Sequence, residues 1–373
     1  MGLFVALPQS GGSERTLQLD FGTNMEIMQG VLPAEWAQQS FVQLTWPHEG
    51  TDWAYMLEEV EDCFTQIASA IAARQRLLIV APDVEHVKQV LQGKANEQNI
   101  RYFTCETNDT WARDHAFITV QDEMGPTFLD FRFNGWGMKF AACLDNQINR
   151  RLYASGMLHG CYRSCLDFVL EGGSIESDGQ GTLLTTSTCL LAPNRNEPLL
   201  RSGIEKRLMS YFHLKQVLWL DHGYLAGDDT DSHVDTLARL CPKDTIVYVQ
   251  CTDPADEHYE ELKRMEEQLQ SFRTLQGDPF RLLPLPMADA IIEEDERLPA
   301  TYANFLILNE AVLYPTYAQP ENDRKAAEVL AEAFPGREIV PIDCRALIKQ
   351  HGSLHCVTMQ YPAGTLQEDW ESK

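Results

Sequence analysis

Basic residues are scarce in this chain. Its 30 Lys and Arg stand against 55 Asp and Glu, a formal charge of −25 over 373 residues. Nucleic acids and anionic membranes are held by basic surfaces that neutralise phosphates, so neither is expected as a principal partner. Long apolar runs are also missing. No stretch approaches the ~18 residues of a membrane span. The apolar start, Leu3 to Leu7, is shorter than the roughly 7–15-residue core of a secretion signal. The ten cysteines are scattered without a CxxC, and the closest pair, Cys161 and Cys165, has no second pair to complete a zinc module. These absences predict a cytoplasmic protein with free thiols, most of them buried. The chain is 44% apolar and 23% charged, which is the composition of a folded globular protein with a sizeable core.

Residues 1–32 are rich in Gly, Ser and Gln and read as a loosely held leader, with residues 33–373 as one catalytic domain. After Trp36 a strand is expected at 41–46. A helix from an Asp52 cap to about Arg74 follows, with apolar residues at Met56, Val60, Phe64, Ile67 and Ile71. Further helices are predicted near 83–96, 140–154, 201–212, 257–274, 321–333 and 343–349. Strands are predicted near 77–80, 116–120, 127–132, 168–170, 182–186, 189–192, 217–220, 246–250, 304–308, 311–314, 338–342 and 355–360. Strands outnumber helices about two to one, which fits neither a plain βαβ array nor an all-β sandwich. The proline-rich, acidic stretch 277–300 reads as a surface loop. A faint echo links Glu171-Gly172-Gly173-Ser174-Ile175-Glu176 with Gln350-His351-Gly352-Ser353-Leu354-His355. Five ββα-type units of about 70 residues would accommodate it.

Four segments place ionisable residues beside Gly or Trp at strand ends: 107–114, 170–174, 228–235 and 351–356. Cys356 follows a Gly and two bases, His351 and His355, which suits an activated thiol nucleophile; the plainer reading is a core cysteine. His233 sits among Asp228, Asp229, Asp231 and Asp235. A carboxylate beside it would raise its pKa and fix its tautomer for acid/base work, and in an extended segment His233 and Asp235 share a face. A solvated acidic loop or a calcium loop is the alternative, although the Gly and terminal Glu of an EF-hand are absent. Asp114 near Trp111 offers a carboxylate and an aromatic face for a flat cation. Glu171 precedes two glycines, which allow close approach of a ligand. One thiol, one histidine and several carboxylates suit a planar guanidinium with its five N–H donors.

The segments Trp111-Ala112-Arg113-Asp114, Phe133-Asn134-Gly135-Trp136-Gly137, Glu171 to Ser174, Asp231 to Asp235, Tyr302-Ala303-Asn304 and Gly352 to Cys356 resemble, in order, the agmatine deiminase family, which includes bacterial peptidylarginine-deiminase-type proteins. The resemblance runs from Pro33 to Pro362. It implies an α/β pentein fold, a five-bladed propeller of ββαβ units around a central site, and guanidine hydrolysis without metal or organic cofactor. It implies Cys356 as nucleophile, His233 as general acid/base, and Asp114 and Asp235 as grips for the guanidinium. Glu171 is similar to a further active-site acid, Trp111 and Trp136 to pocket walls, and Asn304 to a residue near the nucleophile.

The chain departs from the family pattern at Glu176, where His is common, at Ser232 and His351, where Gly is common, and at Met359, where Gln is common. The reaction implied is agmatine to N-carbamoylputrescine and ammonia, with Glu176 a candidate receiver for the distal ammonium. An arginine or peptidyl-arginine deiminase is the alternative; it would need an Arg for the substrate carboxylate, and Arg113 and Arg132 are the candidates. An amidinotransferase and an inactive amine binder are further readings. The expected partner is a small cationic guanidine, and a homo-oligomer is left open.

Overall fold

The apolar runs pair in one repeating order. In the computed structural model, which describes residues 30–367, the first unit contains β1 (Gln39–Thr45), α1 (Leu57–Ala72), β2 (Arg76–Ala81), α2 (Val84–Leu91) and β3 (Ile100–Thr104). The second contains α3 (Ala112–His115), β4 (Ile118–Asp122), β5 (Gly125–Arg132), α4 (Gly135–Met138), α5 (Asp145–Ala154) and β6 (Cys161–Val169). The third contains β7 (Ile175–Ser177), β8 (Thr182–Thr186), α6 (Ser187–Leu190), α7 (Arg201–Phe212) and β9 (Gln216–Leu220). The fourth contains β10 (Ala238–Cys241), β11 (Thr245–Gln250), α8 (Tyr259–Ser271), β12 (Arg281–Pro286) and a small hairpin, β13 (Ile292–Glu293) with β14 (Glu296–Arg297). The fifth contains β15 (Leu306–Ile307), β16 (Ala311–Thr316), α9 (Pro320–Ala333) and β17 (Glu338–Asp343). After it, α10 (Arg345–Ile348) and β18 (Thr358–Pro362) return the chain to the start.

These units share a three-strand topology, to which the first adds β3, parallel to β2, as a fourth strand. An innermost strand runs antiparallel to a second, and a helical crossover brings a third strand parallel to the second: β4-β5-β6, β7-β8-β9, β10-β11-β12 and β15-β16-β17. In the first unit the innermost strand is β18, antiparallel to β1, so the two ends of the fold close one sheet. These are the five α/β blades that the resemblance implies. The central strands are buried nearly throughout, and the amphipathic helices cover them; α1 buries Val60, Phe64, Ile67 and Ile71 as its spacing predicts.

Several boundaries differ from expectation. Residues 189–192 are not a strand: Thr186 caps a helical turn by accepting the Cys189 N–H at 3.3 Å, so its short apolar run lies on α6. The stretch 277–300 is not a plain loop, because it contains β12. Pro284 and Pro286 are tolerated there because β12 is an edge strand bonded on one side only. Strand β6 extends well beyond the predicted 168–170; its exposed, polar edge positions hid it. The leader lies mostly outside the described residues, but its last part is not loose: Val31 exchanges two 2.9 Å backbone hydrogen bonds with Gln121. No helix among the described residues is long and apolar enough to cross a membrane.

Candidate active site

The stretch leading into each innermost strand carries the candidate functional side chains. Asp114 on α3 precedes β4, Glu171 and Gly173 precede β7, His233 and Asp235 precede β10, Asn304 precedes β15, and Cys356 precedes β18. Fivefold topology therefore gathers residues separated by more than 200 positions. Gly173 shows how tightly. A Cβ on it would fall 2.6 Å from His233 Nδ1, 3.0 Å from Asp114 Oδ1 and 3.1 Å from Asp235 Oδ2. Only a residue without a side chain lets these three groups converge there.

Cys356 is buried and directed toward the same place. Its Sγ lies 3.3 Å from Asn304 Oδ1 and 4.0 Å from Asp235 Oδ2. Asn304 Oδ1 also accepts the backbone N–H groups of His355 and Cys356, at 2.9 and 3.3 Å, and so fixes the turn that presents the thiol. Burial and the charges of Asp235 and Asp114 push the thiol well above its usual pKa. A cation placed between the thiol and these carboxylates would reverse that effect.

Asp114 accepts from Trp136 Nε1 at 2.9 Å and from the Gly173 N–H at 3.0 Å, and its Oδ1 lies 3.7 Å from His233 Nδ1. Burial raises its pKa to about 6, with Asp235 and Glu171 adding to the effect and His233 opposing it. His233 is raised to about 10: burial favours the neutral ring, but Asp114, Cys189 and Glu171 more than compensate. The two groups together favour an imidazolium beside a carboxylate. Neither ring nitrogen of His233 has a hydrogen-bond partner, nor does Asp235 Oδ1, although all three atoms are buried. Unpaired buried polar atoms are rare and costly, and a ligand is one way to complete them.

Two predicted geometries are corrected. The carboxylate nearest His233 is Asp114; Asp235 instead accepts from His355 Nδ1 at 2.8 Å, because 234–236 is a helical turn and not an extended segment. That bond, against the opposing effect of burial, holds Asp235 below the usual carboxylate range. Glu176 does not face a substrate. One oxygen takes the Arg239 Nε, the other accepts the Leu240 N–H at 3.0 Å, and the residue is buried.

Glu171 is held by Arg195 Nε at 3.0 and 3.2 Å, and Arg195 Nη1 reaches Asp231 at 2.6 Å. Asp228 caps its own loop through Thr230 and Ser232, and Asp231 is also bonded by Lys139, so this acidic loop is internally paired and not arranged as a calcium loop. Trp111 and Trp136 meet edge to face at 6.4 Å, and Trp136 reaches Asp114 through its Nε1. A Cβ on Gly352 would lie 2.1 Å from the Trp111 ring, so this glycine makes room for it. Arg113 is committed to Glu35 and Gln360, and Arg132 is exposed on β5.

Sequence reasoning missed Arg195, whose signal was a cationic residue inside the turn-like run Pro193-Asn194-Arg195-Asn196. It also missed Glu35 and Arg239, which with Arg113, Glu176, His355 and Gln360 form a buried network beneath the site. A cavity of about 70 Å³ beside Glu35, Arg113, Gly172 and Met359 includes none of Cys356, His233, Asp114 and Asp235.

Residues 31–362 match the family model described as Porphyromonas-type peptidyl-arginine deiminase. The chain belongs to this family. A crystal structure from Porphyromonas gingivalis, provisionally named an arginine deiminase, is 53% identical to the chain, covers 91% of it and 100% of its own length, and superposes with a TM-score of 0.87. A substrate-bound variant of C. jejuni agmatine deiminase is 38% identical, covers 91% of this chain and 97% of its own, with a TM-score of 0.84. A Shewanella frigidimarina protein, provisionally named agmatine deiminase, is 33% identical over 355 residues, covering 89% of this chain and 94% of its own. Membership in this deiminase family makes the chain a hydrolase of amidine C–N bonds.

Proposed function

We propose that this protein hydrolyses the guanidinium of agmatine to N-carbamoylputrescine and ammonia through a covalent intermediate on Cys356. The observation that supports this most is the convergence of Cys356, His233, Asp114 and Asp235 around the Gly173 backbone, with three buried polar atoms unpaired. A guanidinium supplies N–H donors for Asp235 Oδ1 and Asp114, and its charge lowers the thiol pKa. The thiolate forms a C–S bond to the guanidinium carbon, giving a tetrahedral adduct. His233, protonated at neutral pH, donates its proton to the departing nitrogen, and ammonia leaves a thiouronium. His233, now neutral, takes a proton from water as the oxygen attacks the same carbon. The C–S bond breaks as the adduct's hydroxyl gives up its proton to solvent, the neutral ureido product is released, and the thiolate is regenerated.

Agmatine is favoured by the surroundings. In the loop at 228–231, Asp228 and Asp231 are already paired within the protein, which leaves Asp229 as the carboxylate suited to a distal ammonium, and no arginine in or beneath the site is free for a substrate carboxylate: Arg195, Arg113 and Arg239 are each bonded to carboxylates. The second reading, arginine or a peptidyl-arginine, draws on the 53% identity to the P. gingivalis structure. Ammonia release and product mass should be compared for agmatine, arginine and an arginyl peptide. The proposal expects the largest kcat/KM with agmatine and a product about one mass unit heavier. A larger value for either arginine substrate would replace agmatine; ammonia from none of them would sink the deiminase reading.

A further inference from the structure

A second thiol lies inside the site, and the mechanism does not use it. Cys189, on α6, is fully buried, and its Sγ, a carboxylate oxygen of Glu171 and a ring nitrogen of His233 all lie within 4.8 Å of one another. The position is built. Thr186 accepts the Cys189 N–H and donates its hydroxyl to Ser232 O at 2.7 Å, tying α6 to the residue before His233. His233, itself buried, brings two unpartnered nitrogens to the cluster.

We propose that Glu171, Cys189 and His233 form a binding site for a thiophilic divalent cation such as Zn2+, and that the bound ion inhibits the enzyme. One sulfur, one imidazole nitrogen and one carboxylate oxygen are a donor set suited to Zn2+, with water as a fourth ligand. Tetrahedral Zn–S and Zn–N bonds place their donors about 3.5 Å apart, so closure asks for movements on the order of 1 Å. Binding displaces two protons to solvent, one from the Cys189 thiol and one from the His233 imidazolium. Glu171 can give the ion one oxygen while keeping Arg195 on the other. The Arg195 charge is balanced by Asp231, and Asp114 adds negative charge beside His233. A second cluster, Glu35, Glu176 and His355, has comparable spacing, but Arg113 and Arg239 already occupy its carboxylates. An ion on His233 removes the acid/base group, so inhibition lowers kcat and is reversed by a chelator.

The test uses the full chain with the exposed Cys143 and Cys161 changed to Ser, titrated with Zn2+ by calorimetry and with Co2+ by absorption. The expected result is one equivalent bound, with a near-ultraviolet thiolate-to-cobalt band that persists in Cys356→Ser. In Cys189→Ala, checked for folding by near-ultraviolet circular dichroism, affinity should fall more than about 100-fold, beyond the 10–100-fold typical of outer partners. A band lost in Cys356→Ser would overturn the proposal, as would unchanged affinity in Cys189→Ala or the absence of a band in the parent. If Cys189→Ala fails to fold, the Cys356→Ser spectrum still decides whether the thiolate belongs to the nucleophile. Binding is read without turnover, so its failure leaves the deiminase reading standing.

Discussion

Two ionic clusters lie back to back at the centre of the propeller, and they differ in one respect. In the rear cluster every charge is matched. Arg239 bonds Glu176, Glu35 and the carbonyls of Ala303 and Phe305, Arg113 bonds Glu35 and Gln360, and His355 lies between Asp235 and Glu35. In the front cluster His233 has two unpaired nitrogens, Asp235 has one unpaired oxygen, and Cys356 faces two carboxylates that push its thiol up. Both are buried. The rear cluster has the chemistry of a structural brace, and in the front cluster a cation would complete the carboxylates, Asp235 Oδ1 above all. Asp235 joins them: one oxygen is fixed by His355 from behind, and the other is left for the front. Burial and charge do not by themselves identify an active site; here the unmatched atoms add to the case because they stand beside a thiol and two carboxylates, whereas others, such as His115 Nδ1 and Asp145 Oδ2, lie apart from it.

This contrast can be broken from either side. The largest effect is expected at the rear. Arg239→Met leaves Glu176 and Glu35 without their shared cation and should cost about 3–5 kcal/mol of stability, measured by denaturant unfolding; a loss below about 1 kcal/mol would mean that the network is not a brace. At the front, Asp114→Asn should keep the fold and lower kcat/KM by roughly 100–1,000-fold, the scale of losing one preorganised electrostatic contact. A matching loss of stability would place Asp114 among the structural charges instead. The pH profile comes next. Asp114 has its pKa raised to about 6, and only its ionised form holds a guanidinium. kcat/KM should therefore fall as pH drops through about 6, and in Asp114→Asn this limb should disappear. The smallest effect is Glu176→Gln, which belongs to the rear cluster: KM for agmatine should stay within about 2-fold while stability declines. A large rise in KM would return Glu176 to the substrate site.

Much of this was legible in the sequence, for physical reasons. The candidate catalytic residues sit in short segments where Gly, Trp and ionisable groups coincide, and each such segment leads into an innermost strand. The order of segments therefore prescribed the centre once the five units closed. The helices α1, α7, α8 and α9 were readable because their apolar residues follow a helical period. Pairing partners were not readable. Nothing near Glu176 in sequence reveals Arg239, and nothing near Glu35 reveals Arg113, His355 and Gln360, because these contacts cross from 63 to 325 positions. The substitution of His by Glu at 176 looked like a change in substrate specificity, whereas its neighbours make it half of an ion pair. Likewise, Cys189 read as part of a strand because a four-residue apolar run does not disclose that Thr186 will cap it.

The central claim is that the unmatched front cluster performs chemistry through Cys356 and not through the neighbouring Cys189. Rapid acid quench of the wild-type protein during agmatine turnover, followed by peptide mass mapping, tests it most directly. The account predicts an adduct of substrate minus ammonia on the peptide containing Cys356, and no ammonia release from Cys356→Ala. An adduct on the Cys189 peptide, or undiminished ammonia release from Cys356→Ala, would contradict it.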